Sequence, residues 1–375
     1  MLNRRTLRIK IMQSLFAFEQ CKEANHLLAQ DLIEERFQPD LNSMEVQDKD
    51  KLKKDKRLAL SLLEKKFKGQ PLPTDTEKPI AKAVEDAVEL FEKQVKKDQN
   101  FLQKNIVLEI EKLTQLYHSV LALFIAFADL ADGDKRKGMA NFVNHRWIKA
   151  LKENSQLQKE ILKSDSGWQS KMDLVRGWFR DVIREDDQFQ KFQDIKKPEE
   201  QAEKDLIKHI NRKLILGPGP INDYFEELDI RWAEDRDIIK SLVDKTLKSF
   251  SDGKIELQKM SLDWEDDKVF IEKLFKNTVT IDPAHKELIA KNTKNWEVDR
   301  LPLTDRVILE MAITEMIYFP NIPIKVTINE YIELAKDYST PKSRTFINGI
   351  LDVIAKSMRE SGTIKKSGRG LIDNK

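Results

Sequence analysis

The spacing of the apolar residues is the feature that most restricts how this chain can fold. Through most of the 375 residues, apolar side chains recur at intervals of three and four, which is the period of an α-helix with one buried face. Glycine, which weakens helices, accounts for only 12 residues, while leucine, lysine, glutamate and aspartate dominate. No segment shows the clear alternation of apolar and polar residues that a half-buried strand requires. The sequence therefore predicts an all-α protein.

Charge and cysteine content limit the classes of partner and compartment. Sixty-six lysines and arginines nearly balance sixty-four acids, so the net charge is +2 and any binding of nucleic acid would depend on local clusters. The single cysteine, Cys21, excludes an internal disulfide framework and a cysteine-rich zinc site, and favours a reducing compartment. We expect neither a signal peptide nor a membrane span, and we take the cytoplasm as the default location.

No combination of residues points to catalysis. The sequence lacks a glycine-rich phosphate loop and a nucleophile elbow, and its five histidines are scattered, without the spacing of metal ligands. Neighbouring acids such as Asp186 with Asp187, and Asp266 with Asp267, lie at predicted helix starts, where acids commonly cap helices or remain solvated. We therefore expect no enzymatic activity, no cofactor and no metal.

The first predicted helix, residues 3–20, carries an unusual distribution of charge. An apolar stripe runs from Leu7 to Phe18, and Arg4 and Arg8 extend that stripe toward the start of the helix. Basic side chains are unfavourable there, because the unpaired N–H groups at a helix start already carry partial positive charge. Two interpretations remain open, namely a solvated helix tip and a set of cations placed for binding.

The middle of the chain is predicted to consist of helices and charged connectors. Residues 38–80 read as a helix followed by an exposed connector, and the apolar run 119–131 has about the length of one buried helix. The tail, 361–375, is predicted to be disordered. Three tryptophans, 32 residues apart, fit either stacked helical hairpins or a local duplication: Trp232, Trp264 and Trp296.

The last third of the chain carries the plainest helix signals. One predicted helix has Asp305 in its first turn, where an acid is favourable. Thr327 and Glu330 have the spacing of a capping box, and Thr340 followed by proline predicts the start of the last long helix. Gly349 inside that helix costs about 1 kcal/mol relative to alanine, which suggests close approach of another backbone.

These segments resemble a known family. Residues 295–352, with the motifs IPIKVTINEYIELAK and FINGILD, look like the C-terminal half of the NusB family, which comprises helical bacterial transcription antitermination factors. The opening RRTLRIKIMQSLFAFEQ is similar to the first helix of that family. The resemblance implies NusB-like helical bundles with an additional helical insertion.

On this basis we predict four segments. Residues 1–30 hold the first helix of the NusB-like module, and residues 31–260 form a helical insertion with charged connectors. Residues 261–360 form the NusB-like C-terminal bundle, and residues 361–375 form the disordered tail. Neither the sequence pattern nor the resemblance indicates what the insertion adds.

The resemblance also implies partners and a binding surface. Family members bind a boxA-type RNA together with NusE, a protein of the small ribosomal subunit, and reach the RNA polymerase elongation complex indirectly. Asp305 falls near the expected NusE surface, although it fits an ordinary first-turn acid equally well. Phe16 is expected either to stack on an unpaired base or to pack in the core. The residues expected to contact RNA are Arg4, Arg5, Arg8, Phe16, Lys342, Arg344 and Phe346.

Two functional hypotheses follow. The first is an RNA-binding antitermination factor that acts with NusE on boxA-like RNA of ribosomal RNA transcripts. The second is a non-catalytic helical scaffold for protein interactions that has kept the NusB fold. Affinity for RNA distinguishes the two hypotheses.

Overall fold

The regular structure of this protein is helical. The computed structural model describes residues 2–42, 44, 46–134, 138–292 and 301–374. Within those ranges the backbone forms helices and one isolated bridge between Ser251 and Lys254, with no strand. The prediction of an all-α protein is confirmed.

Sixteen α-helices are present in the described part of the chain, with short 3₁₀ or π-helical turns between or after them. Their bounds are α1 Arg4–Arg36, α2 Lys49–Phe67, α3 Lys78–Gly133, α4 Ala140–Val143, α5 Arg146–Glu153, α6 Ser155–Ser164, α7 Met172–Trp178, α8 Asp187–Gln193, α9 Glu200–His209, α10 Pro220–Leu228, α11 Trp232–Lys248, α12 Trp264–Val279, α13 Pro283–Asn292, α14 Leu303–Tyr318, α15 Ile324–Tyr338 and α16 Pro341–Glu360.

The chain divides into two compact units. Residues 1–4 and 108–267 form one, here called the central unit, and residues 5–107 and 268–375 form the other, the terminal unit. The predicted insertion, 31–260, is therefore shared between both units. The division passes through α3, a single 56-residue helix, and an uninterrupted helical pattern offers no boundary signal in the sequence.

In the terminal unit, α1 buries the apolar stripe that the sequence predicts. Leu7 and Phe18, the two ends of that stripe, are both buried, and the Phe18 ring meets Phe275 of α12 edge to face at 6.4 Å. Helix α14 is buried on all sides, and it contacts both α15 and α16. A second cluster joins the end of α1 to α2 and to the beginning of α3, and it includes Ile33, Leu63 and Val84.

In the central unit, the apolar run 119–131 forms the buried end of α3, as predicted. This helix is long and apolar enough to cross a membrane, but 67% of its most apolar window is buried inside the protein, as in the core helix of a globular domain. Trp232 and Trp264 each begin a helix, α11 and α12. The third tryptophan of the predicted repeat, Trp296, lies outside the described residues.

Two predicted helix starts have different outcomes. Thr340 caps α16 as expected, because its side chain accepts a hydrogen bond from the Ser343 N–H. The capping box at Thr327 is wrong, since α15 begins three residues earlier, directly after Pro323. Proline fixes its own φ and favours the boundary at that point. Thr327 and Glu330 consequently lie within the helix, and their side chains bind other groups.

The tail is ordered, contrary to the prediction. Ile364 is buried, and residues Gly368–Asn374 form a 3₁₀ turn. The Ser367 N–H donates a hydrogen bond to the Pro320 carbonyl at 3.1 Å. A Cβ atom on Gly370 would lie 2.0 Å from the same carbonyl oxygen, so glycine is required there. The tail thus packs on the loop between α14 and α15.

The expected close approach at Gly349 is not seen, because a Cβ atom at this position would meet no atom of the described residues within 4 Å. We therefore expect Gly349→Ala to raise the free energy of unfolding by about 1 kcal/mol, through better helix propensity and a less flexible unfolded chain. Urea unfolding followed by far-ultraviolet circular dichroism measures this change. Gly370→Ala is the matched control and should destabilise the protein. A loss of stability in Gly349→Ala would contradict the open surroundings of that position.

Candidate nucleic-acid interface

The residues predicted to bind RNA lie on two helices: the arginines in the first turns of α1, Phe16 in its fourth turn, and the others in the first turns of α16. Asp305, predicted to bind a protein partner, lies in the first turn of α14. The structure gives these side chains very different environments.

Arg8 is a core residue. Only 2% of it is exposed, and its guanidinium forms two hydrogen bonds to the fully buried Glu315 carboxylate, Nε to Oε2 at 2.7 Å and Nη2 to Oε1 at 2.8 Å. The apolar stripe of α1 carries Arg8 into the interior, where α14 supplies its partner. An RNA phosphate has no access to this guanidinium. The prediction that Arg8 contacts RNA is therefore corrected, and Arg8 is assigned a structural role.

The Glu315 carboxylate collects further donors. It accepts hydrogen bonds from the Thr327 hydroxyl at 2.9 Å and from the Tyr331 hydroxyl at 3.2 Å. Burial by itself lowers the pKa of Arg8, but the charge of Glu315 and its hydrogen bonds raise that pKa above the ordinary arginine value. Burial also raises the pKa of Tyr331. The cluster is thus a buried ion pair whose carboxylate is fully hydrogen-bonded, and it links α1, α14 and α15.

Arg5 lies beside this cluster but reaches the surface. Its Nε and Nη2 donate to the two oxygens of Glu330, both at 3.0 Å, while 41% of its side chain remains exposed. This hydrogen bonding raises the pKa of Arg5 and lowers the pKa of Glu330. Arg5 is thus a partly exposed cation that already has a carboxylate partner.

Arg4 belongs to the central unit and also has acidic partners. Its Nη2 donates to Asp266, and its Nε lies 3.3 Å from an oxygen of Asp267. About a third of its side chain is exposed. The acid pair therefore contributes an ion pair in addition to its place at the start of α12. The opening cluster of arginines is consequently neutralised by carboxylates.

The cations in the first turn of α16 differ from the arginines of α1 in their exposure and their partners. Lys342 and Arg344 are exposed, and the structure shows no ion pair for either of them with any described residue. No acidic residue lies in this turn, and the dipole of a 20-residue helix adds partial positive charge at its start. Phe346, on the same helix, is half-buried. The start of α16 is therefore an anion-attracting surface.

Asp305 anchors the residue that precedes the cap of α16. Only 2% of Asp305 is exposed, and its carboxylate accepts a hydrogen bond from the hydroxyl of Ser339, the residue directly before the cap of α16. The predicted contact of Asp305 with a protein partner is at odds with this burial. Its observed role is to fix the end of α15 and the beginning of α16.

A second contact connects the same region to α1. Arg306 donates from Nη2 to Glu19 Oε2 at 3.0 Å, and Glu19 follows Phe16 by one helical turn. Phe16 is 39% exposed, so the alternative of complete core packing does not hold. The structure thus places Phe16 on a surface of α1 that is linked, through Arg306 and Asp305, to the start of α16.

Part of the chain is similar to known proteins. Residues 231–356 match the model of the NusB family. The chain is 48% identical over 75 residues to the transcription antitermination protein NusB of Chloroherpeton thalassium, covering 20% of this chain and 36% of that protein. It is also 48% identical over 73 residues to NusB of Salinibacter ruber, covering 20% of this chain and 46% of that protein. The matches thus span less than half the length of these curated relatives.

One solved structure is also similar. It is the NusB protein of T. maritima, which shares 25% sequence identity with this chain. The alignment covers 43% of this chain and 93% of that protein, with a TM-score of 0.24.

Proposed function

Because residues 231–356 match the model of the NusB family, we propose that this protein is an RNA-binding transcription antitermination factor. It acts with NusE on boxA-like RNA of ribosomal RNA transcripts, and it reaches the RNA polymerase elongation complex through that assembly. It performs no chemistry of its own and works in the cytoplasm. Its contribution is to join RNA and protein in one surface.

The exposed, positively charged start of α16 is the observation that carries this proposal. Lys342 and Arg344 can neutralise phosphates, and the positive end of the helix dipole adds to this attraction. Such contacts release counterions and supply affinity that depends strongly on salt. Phe16 offers an exposed ring on which an unpaired base can stack.

The arginines of α1 have a secondary part in this proposal. Arg5 is partly exposed, so a phosphate can take the place of one Glu330 oxygen without removing the guanidinium from the surface. Arg8 supports the surface from inside by holding α1 against α14 and α15. Arg4, which is paired with Asp266 and Asp267, belongs to the other unit.

We expect the double substitution Lys342→Ala/Arg344→Ala to weaken binding of a boxA-like RNA roughly tenfold. The slope of log affinity against log salt should fall by about 2, because two phosphate contacts are lost. Fluorescence anisotropy of a labelled RNA, with and without NusE and at several salt concentrations, measures both quantities.

The matched control removes the same charge from the other end of the same helix, as Lys356→Ala/Arg359→Ala. This control should leave both the affinity and the salt slope nearly unchanged, because the helix C-terminus repels anions. Equal losses in the two double variants would show that only overall charge matters, and would contradict a site at the start of α16.

The neutralised arginines favour a second candidate function. Since Arg4, Arg5 and Arg8 all have carboxylate partners, the helical module can also serve as a scaffold for protein interactions without RNA. Absence of RNA binding by the folded protein, with and without NusE, would support this alternative.

A further inference from the structure

A cleft of about 440 Å³ lies in the terminal unit beside the proposed RNA surface. Helices α1 and α14 form one side, and α2 and α3 form the other. The second side belongs to the part of the chain that has no counterpart in the NusB resemblance. The cleft therefore combines the NusB-like module with the insertion.

Aromatic rings form one wall of this cleft. The Phe67 ring of α2 lies 4.9 Å from the His26 ring and 4.6 Å from the Phe91 ring of α3, measured between centroids. All three side chains are half-buried, and the two phenylalanines pack against the core cluster of α1, α2 and α3. The two phenylalanine rings thus pack against the core on one side and remain accessible from the cleft on the other.

The charges around the cleft nearly cancel. Glu19 is paired with Arg306 at 3.0 Å, while Lys22 and Glu23 are exposed neighbours on α1. A lining of this kind does not attract a bare phosphate. It suits a flat, neutral group with polar edges, and the side chains of Gln20 and Glu23 offer acceptors for such an edge.

We propose that this cleft binds one unpaired nucleobase of the RNA, stacked against Phe67 and Phe91. The inference rests on the proposed function, and it assigns to the insertion a direct part in RNA binding. Stacking on aromatic rings tolerates any base, while a carboxylate acceptor favours a base with an exocyclic amine.

Continuity with the proposed surface favours RNA as the occupant. Gln20 at the cleft follows Phe16 by four residues, which is one turn and about 6 Å along the same face of α1. Arg306 at the cleft directly follows Asp305, which anchors the residue before the cap of α16. A strand whose base stacks on Phe16 can therefore place a neighbouring base in the cleft.

Conservative substitutions test this proposal. Phe67→Leu and Phe91→Leu keep an apolar side chain but remove the ring, and each should weaken binding of the labelled boxA-like RNA about five- to tenfold without changing the salt slope. Phe67→Tyr keeps the ring and should retain wild-type affinity. Phe101→Leu is the matched control, because Phe101 is an exposed phenylalanine of α3 that does not line the cleft.

The outcomes separate this inference from the proposed function. Wild-type affinity in both leucine variants, with Lys342→Ala/Arg344→Ala still impaired, would overturn the base-binding cleft alone. Loss of NusE binding by the leucine variants with RNA affinity unchanged would assign the cleft to a protein and would also overturn the inference. Absence of RNA binding by the wild type would overturn both. Circular dichroism of each variant verifies that it is folded.

Discussion

Arg8→Met is expected to lower the free energy of unfolding by about 3–5 kcal/mol. The substitution keeps much of the aliphatic volume, but it leaves Glu315 buried without its cation. The hydroxyls of Thr327 and Tyr331 remain as donors, yet neither compensates the charge. Urea unfolding followed by circular dichroism at neutral pH measures the loss.

Arg5→Met is the matched control for this prediction. Arg5 has the same side chain, lies on the same helix and also forms a two-bond pair with a glutamate, but that pair is partly exposed. We expect a loss of no more than about 1 kcal/mol. The double substitution Arg8→Met/Glu315→Leu should recover part of the stability that Arg8→Met loses, because it removes the stranded charge. Similar losses for Arg8→Met and Arg5→Met would refute the buried ion pair as a determinant of stability.

The buried position of Arg8 also affects RNA-binding experiments. A lowered RNA affinity in an Arg8 variant would reflect a damaged terminal unit and carry no information about phosphate contacts. Substitutions of Lys342 and Arg344 are free of this problem, because both side chains are exposed.

The central unit is expected to lose about 2 kcal/mol of stability between pH 7 and pH 5 because of His145. This side chain is fully buried, and its Nε2 donates to the Glu203 carbonyl at 2.9 Å, while Nδ1 has no hydrogen-bond partner in the described part of the chain. Burial, assisted by Arg146, lowers the pKa of His145 to about 4. An unfolded histidine titrates near pH 6.5, so the unfolded chain binds the proton first and stability falls as the pH drops from about 6.5 toward 4.

Tryptophan fluorescence is suited to measuring this effect, because five of the six tryptophans belong to the central unit. Urea unfolding is compared at pH 7 and pH 5 for the wild type and for His145→Gln, in which the amide can still donate to the Glu203 carbonyl. The variant should be less stable at pH 7 but should lose about 2 kcal/mol less than the wild type on acidification. The difference between the two proteins cancels the contributions of other titrating groups. An identical pH dependence would rule out a neutral buried His145.

Local patterns in the sequence predict much of this fold. The apolar stripe of α1, the buried run 119–131 and the cap at Thr340 each depend on residues within a few turns of one another, and the structure confirms them. The exposed cations at the start of α16 can also be predicted from local sequence, because neighbouring residues indicate both the helix start and its charge.

Contacts between distant segments are what the sequence does not reveal. Arg8 and Glu315 are separated by 307 residues, and no local pattern in the sequence connects the two. Glu330 fits a capping box by spacing, whereas its real partner is Arg5. The aromatic wall of the cleft likewise combines three helices, so no single segment of sequence shows it.

The two-part composition of the terminal unit has a consequence for protein synthesis. Residues 5–107 leave the ribosome early, but the helices that complete their core follow only after the entire central unit. At ordinary rates of translation, Glu315 is synthesised on the order of 15–60 s after Arg8. During that interval Phe18 of α1 has no Phe275 to pack against, while residues 108–267 have already been synthesised. The nascent chain therefore carries Arg8 and Phe18 of its first helix without their partners until α12 and α14 have been synthesised.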